Sequence, residues 1–153
     1  MFASTKRLNL RPFTELDGEH MMALQYDREV QKTANADYVA PRSQAQTLRD
    51  GFTWLETGLL SLIVEVKPSR ARVEEPVTES NQWVGFVRLE EHGKGNREVI
   101  LGISFKPQWW DKGFGTEVLS WTLEYAFRNL NMHRVSLSVL GNNHRALTAY
   151  RRM

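Results

Sequence analysis

The amino-acid sequence predicts an α/β (α+β) domain built on a mixed, mostly antiparallel sheet with helices on both faces. Three observations carry this expectation. Three β-rich stretches follow one another in the middle of the chain, and strands joined by short turns pair antiparallel. Residues 97–140 then read strand, helix, strand, an order that calls for a parallel crossover. Helical periodicity before and after this group supplies a layer for each face of the sheet. The chain has 153 residues, which makes one domain, 1–153, with enough bulk to bury a core.

The elements follow in order. Leu8 and Leu10 alternate with Arg7, Asn9 and Arg11, and Pro12 ends this short strand. Asp17 stands where it would cap a helix running through Met21, Met22, Leu24 and Gln25 towards Val30. Ser43 opens a second helix, with Leu48, Phe52 and Leu55 at helical spacing, and Gly58 closes it. Residues 61–66 and 82–90 are β-rich, and the charged, proline-bearing residues 67–81 between them read as a solvated loop. Gly93, Lys94, Gly95 and Asn96 turn the chain into a strand at 97–105. A helix-like segment at 118–130 and a strand at 134–140 come next, the latter with Val135, Leu137 and Val139 on one face. Asn142 or Asn143 then caps a last helix that runs to Met153.

Composition removes several functions. There is no cysteine, which excludes disulfides, thiolate metal sites and a cysteine nucleophile, and fits a reducing compartment. His20, His92, His133 and His144 show no metal-ligand spacing and no Gly-x-Ser-x-Gly elbow is present, so neither a metal nor serine-hydrolase chemistry is expected. A net charge of +2 without basic–aromatic alternation speaks against a nucleic-acid partner. No segment reaches membrane-spanning length and no apolar leader opens the chain, so the expected location is the cytoplasm.

The most informative stretch is Trp109-Trp110-Asp111-Lys112-Gly113-Phe114-Gly115-Thr116-Glu117, between the strand at 97–105 and the following helix. The first N–H groups of a helix lack internal partners and carry a partial positive charge, while glycines let a ligand approach the backbone. A phosphorylated ligand is the natural occupant. A dinucleotide fingerprint would need glycine at position 118, which is Val118, and a Walker A loop would need its lysine after the second glycine, whereas Lys112 precedes Gly113.

The string resembles the pyrophosphate loop of the GNAT superfamily of N-acetyltransferases, Gln/Arg-x-x-Gly-x-Gly/Ala. Trp110 occupies the first position, a departure familiar in the ribosomal-protein N-terminal acetyltransferase (RimJ/RimL-like) branch. Arg7-Leu8-Asn9-Leu10-Arg11-Pro12 and Asp27-Arg28-Glu29-Val30 are similar to the opening of that branch. The order of elements also matches GNAT folds up to their fourth helix. The resemblance implies acetyl-CoA as the acetyl donor. Its phosphates would lie on Trp110, Asp111, Lys112, Gly113, Phe114, Gly115 and Thr116. Its pantetheine arm would pair with the strand at Ile103, Ser104 and Phe105. Lys112 is suited by its charge to meet a phosphate, and Trp109 and Trp110 are expected to pack.

Asn143, Ala146 and Tyr150 share one helix face, and Asn-x-x-Ala-x-x-x-Tyr resembles the motif after the fifth GNAT strand. That resemblance implies that Asn143 and Ala146 hold the pantetheine end and that the Tyr150 hydroxyl protonates the leaving thiolate. A phenol with a pKa near 10 is protonated at neutral pH and matches that task. Glu98 is the candidate general base, with Glu90, Glu91 and His92 as alternatives. Without a strong base, an α-amine is the easier acceptor, since about a tenth of it is neutral at pH 7, against less than about one lysine in a thousand. The expected reaction is direct transfer of acetyl to a peptide N-terminus, with a small-molecule amine as the alternative acceptor. Arg128, His133, Arg134, His144, Arg145, Arg151 and Arg152 read first as a solvated basic face and second as flanks of the coenzyme phosphates.

The sequence stops at Met153, within the helix that carries Tyr150. The resemblance implies two further strands, so the expected sheet lacks the last two and the chain is read as truncated. A coenzyme A-binding module without catalysis is the corresponding alternative. The edge at 134–140 would be open to pairing with a second copy, giving a homodimer.

Overall fold

A computed structural model describes residues 1–34, 43–68, 82–93 and 95–153. Most of the loop predicted at 67–81, and Lys94 of the predicted turn, lie outside the described residues. Six strands form one sheet: β1 (Ala3–Ser4), β2 (Leu8–Pro12), β3 (Leu60–Val66), β4 (Trp83–Glu91), β5 (Glu98–Phe105) and β6 (Arg134–Ser136). Spatial order follows chain order, and every neighbouring pair is antiparallel except β5–β6, which is parallel. The helices are α1 (Gly18–Tyr26), α2 (Arg28–Ala34), α3 (Gln44–Glu56), α4 (Phe114–Arg128) and α5 (His144–Arg151). None of the described helices is long and apolar enough to cross a membrane.

Strand alternation builds the core on both faces. Leu8, Leu10, Leu62 and Val64 point to one side, where Phe114 and Val118 of α4 cover them. Leu89, Val99 and Leu101 continue that face under Leu119 and Ala126. Ile63, Trp83 and Phe86 point the other way, against Met21 and Leu24 of α1, Val30 of α2 and Leu55 of α3. In β4, Gly85 stands opposite Val64 and Trp83 opposite Glu65, which leaves Val84 as one extra residue, a bulge. Gly85 also lets β5 come close: a Cβ there would lie 2.0 Å from the Ser104 carbonyl oxygen.

Four sequence expectations are corrected. The helix expected from Asp17 to Val30 is two, because Asp27 is extended (φ −67°, ψ 118°) and its carboxylate accepts from the N–H groups of Glu29 and Val30 at 2.9 and 3.1 Å. Asp17 does not cap α1 with its side chain. It is buried and accepts two bonds from Arg11 (2.8 and 2.6 Å), one from the Thr14 N–H (2.9 Å) and one from Trp83 Nε1 (3.1 Å). Helix α4 begins at Phe114 rather than 118, since Gly115, Thr116 and Glu117 already form its first turn. The strand expected over 134–140 ends at Ser136, because β6 pairs only with residues 98–100 and then leaves the sheet.

Candidate active site

The departure of the chain after β6 shapes the site. β5 continues for five residues, 101–105, past its last partner on β6. On that side every second N–H and C=O of β5 has no strand to bond. Residues 101–105 and 138–140 both line a cavity of about 980 Å³. The gap between diverging parallel strands is thus part of a larger cleft.

The glycine loop closes one end of it. After β5 a short 3-10 turn, Pro107–Trp109, buries Trp109, whose Nε1 donates to the Trp83 carbonyl at 3.1 Å. Trp110 Nε1 donates to the Phe105 carbonyl at 2.8 Å, anchoring the loop to the end of β5. Asp111 (φ 60°) and Gly113 (φ 75°) both adopt left-handed backbone, and Gly113 is the N-cap of α4. No side chain caps this helix, so its first-turn N–H groups are left for an external acceptor. Asp111, Gly113, Phe114, Gly115 and Thr116 all line the cavity.

A clamp that sequence reasoning missed holds this loop from behind. Arg7 Nε donates to Glu117 at 2.7 Å, the Arg7 N–H to the same carboxylate at 2.8 Å, and Arg7 Nη1 to the Lys112 carbonyl at 2.8 Å. The Thr5 hydroxyl also donates to Glu117, and the Arg7 guanidinium covers the Phe114 ring at 4.5 Å. Burial alone would raise the Glu117 pKa, but the bonds from Thr5 and Arg7 outweigh it and hold the carboxyl below its ordinary value. No local signal joins Arg7 to Glu117, because the two are 110 residues apart.

Helix α5 supplies the opposite wall. The Asn143 side chain accepts from the Ala146 N–H at 3.1 Å, fixing the helix start as a cap. Asn143, Ala146 and Tyr150 face the cavity together with Ile103, Ser104 and Phe105. Tyr150 packs on the cluster of Leu89, Val99, Leu101 and Leu119, and burial raises its hydroxyl pKa above the ordinary value. Its hydroxyl has no hydrogen-bond partner among the described residues. Arg145, from the next turn position, stacks on Trp110 with 3.4 Å between Cζ and the ring centroid. Of the basic residues read first as a solvated face, His144, Arg145 and Arg152 line the cavity, while Arg128 pairs with Glu124, and Arg134 with Glu98, at the surface.

Two expected site residues stand apart. Lys112 does not line the cavity, and its carbonyl serves the Arg7 clamp. Glu98 lies at the far end of β5, 3.9 Å from His133 Nε2 and 3.6 Å from Arg134 Nη1, outside the cavity lining. Glu90 pairs with Arg88, and Glu91 and His92 are exposed away from the cleft. Among the described residues, the cavity's other end is neutral, with Leu24, Gln25, Val30, Gln31, Trp54 and Phe86 as its wall. Among the described residues, no group of three or more His, Cys, Asp or Glu could hold a metal ion.

Comparisons with known proteins agree with this geometry. The chain is 24% identical over 139 residues to the uncharacterized N-acetyltransferase YoaA of Bacillus subtilis, a match that spans 91% of this chain and 73% of that protein. A GNAT-family acetyltransferase from Bacillus anthracis has the same fold, with a TM-score of 0.77 at 20% identity over 99% of this chain and 81% of that one. The fold is also that of spermidine N-acetyltransferase from Vibrio cholerae, solved with CoA and spermine, with a TM-score of 0.72 at 22% identity over 95% of this chain and 78% of that one. Residues 7–153 match the acetyltransferase (GNAT) domain, and the chain therefore belongs to the GNAT family of N-acetyltransferases, which take their acetyl group from acetyl-CoA.

Proposed function

We propose that this protein acetylates the α-amine of a peptide or protein N-terminus in the cytoplasm, in the manner of the RimJ/RimL-like branch. One observation carries the reading. A single cavity is bounded by the uncapped start of α4, by Tyr150 and by a neutral wall of apolar and amide side chains. Among the described residues its charged lining residues are Asp111, Arg145 and Arg152, and none belongs to that neutral wall. A polyamine would need carboxylates to replace its water, and among the described residues the neutral wall has none. An α-amine brings no second charge and is partly neutral at pH 7 without a base.

The residues present fit the coenzyme. The N–H groups of the α4 first turn and the left-handed loop suit a diphosphate. The unpaired side of 101–105 suits an extended amide-bearing arm. When bound, acetyl-CoA supplies an activated acetyl thioester. The protein's contribution is to orient it, to direct backbone N–H groups of 101–105 towards the carbonyl oxygen, and to hold a proton on Tyr150 Oη for the departing sulfur.

Incubation with acetyl-CoA, a panel of free N-terminal peptides, N-blocked lysine peptides and spermidine, read by mass spectrometry, tests this. Acetylation of peptide N-termini in preference to lysine and spermidine is expected. Preference for spermidine or for another small amine would replace the N-terminal reading, and coenzyme binding without any turnover would favour a binding module.

A further inference from the structure

We propose that Arg145, held over the Trp110 ring from helix α5, is the cation that grips the diphosphate of the coenzyme. The inference rests on the reading of the cavity as a coenzyme A site. In the loop pattern Gln/Arg-x-x-Gly-x-Gly/Ala, the first position offers a polar side chain. Here that position is Trp110, whose one polar atom is already committed to the Phe105 carbonyl at 2.8 Å. The anchored indole becomes a platform instead, and the Arg145 guanidinium lies 3.4 Å from its ring centroid.

Stacking on a ring leaves the guanidinium's in-plane N–H donors pointing outward, in the fork that matches phosphate oxygens. Those donors are unengaged. Its ion-pair partner, Asp111 Oδ2, is 3.9 Å from Arg145 Nη1, beyond hydrogen-bond range, and Arg145 makes no hydrogen bond among the described residues. Burial holds its pKa below the ordinary arginine value, with Asp111 opposing the shift only in part. A half-buried cation without a hydrogen-bonded acceptor is costly, and an anion at the mouth of the loop would relieve that cost.

The neighbouring cations are not equivalent. The Arg7 guanidinium is held by Glu117 and the Lys112 carbonyl, and Lys112 lies outside the cavity lining. Arg152 lines the cavity but follows Arg145 by seven positions, about two helical turns, at the C-terminal end of α5, away from the Trp110 ring that Arg145 covers. Asn143 fixes the helix start two residues before Arg145. Asp111 is exposed, so its carboxylate is free to turn to water as a phosphate arrives.

Calorimetric titration of the wild type, Arg145→Ala and Arg145→Lys with coenzyme A, dephospho-coenzyme A and pantetheine provides the test. Dephospho-coenzyme A keeps the diphosphate and lacks the 3′-phosphate; pantetheine lacks both. Arg145→Ala is expected to weaken coenzyme A and dephospho-coenzyme A by the same factor, about 10- to 30-fold, and to leave pantetheine unchanged. Arg145→Lys should recover only part of the loss, because an ammonium neither stacks flat nor forks. A loss confined to coenzyme A would assign Arg145 to the 3′-phosphate and overturn the proposal. Equal loss for pantetheine, or no loss at all, would overturn it too. Failure of the wild type itself to bind coenzyme A would instead bring down the site reading beneath it.

Discussion

Replacing Gly113 with alanine probes the loop at its most constrained point. Gly113 has φ 75°, in the left-handed region, where an L-residue with a Cβ is disfavoured by about 1–2 kcal/mol. The added methyl would also stand 3.3 Å from Arg7 Nη2, close enough to push the guanidinium that holds the Lys112 carbonyl and Glu117. Together these predict a loss of roughly 1.5–2 kcal/mol, seen as a fall in Tm of about 4–6 °C for a chain of this size. Where the loop escapes the strain by leaving its left-handed turn, coenzyme A binding weakens by about tenfold, the equivalent of 1.4 kcal/mol. Gly115 is the internal control. It lies in the first turn of α4 with nothing within 4 Å of its would-be Cβ, so alanine there should leave Tm unchanged or raise it slightly. Thermal unfolding and calorimetric titration of both variants read the two effects separately. Wild-type Tm and affinity for Gly113→Ala would refute the argument, as would equal losses in both variants.

Further outcomes follow from the ionisable groups. Tyr150→Phe should keep coenzyme A affinity, since the hydroxyl bonds no described residue, while turnover falls by about 10²–10⁴-fold. In steady-state kinetics, kcat/KM of the wild type should rise with pH as the acceptor α-amine deprotonates near 8. It should fall only above 10, because burial raises the pKa at which Tyr150 loses its proton; Tyr150→Phe should lack that alkaline fall. Unchanged turnover would remove Tyr150 from the proton-donor role. At Asp17, burial pushes the carboxyl pKa up, but the bonds from Arg11 and Thr14 outweigh it, and the net shift is downward. A depressed folded-state pKa contributes stability that is present above the unfolded value near 3.9 and is lost as pH falls through the folded one. Asp17→Ala should therefore cost about 3 kcal/mol at pH 7, leaving Arg11 and Trp83 Nε1 short of their acceptor, with a flatter acid limb in denaturant unfolding. Equal acid sensitivity in both proteins would contradict this.

Much of the architecture is legible in the sequence, because its signals are local. Alternation at Leu8 and Leu10, the caps at Ser43 and Asn143, and the glycines at the start of α4 each report on a few consecutive residues, and each stands where expected. Asp27 carries a local signal as well, a capping residue inside a helical pattern, but periodicity through Val30 masks the break. The short β6 cannot be read in this way. Val135, Leu137 and Val139 alternate as a strand should, yet a strand needs a partner, and β5 provides one only as far as Ile100.

The division between sequence and tertiary structure runs through the glycine loop itself. Its residue types announce a phosphate site, since glycine tolerance of left-handed backbone and the free N–H groups of a helix start are properties of the local chain. What holds that loop and what charges it are decided elsewhere. Arg7 and Thr5 reach Glu117 and the Lys112 carbonyl from the turn between β1 and β2, and Arg145 reaches Trp110 from the last helix. Lys112 and Glu98, chosen for charge and position in the sequence, lie outside the cavity. A side chain's charge is written in the sequence, but its partner depends on which faces the sheet and helices bring together, and only the folded chain settles that.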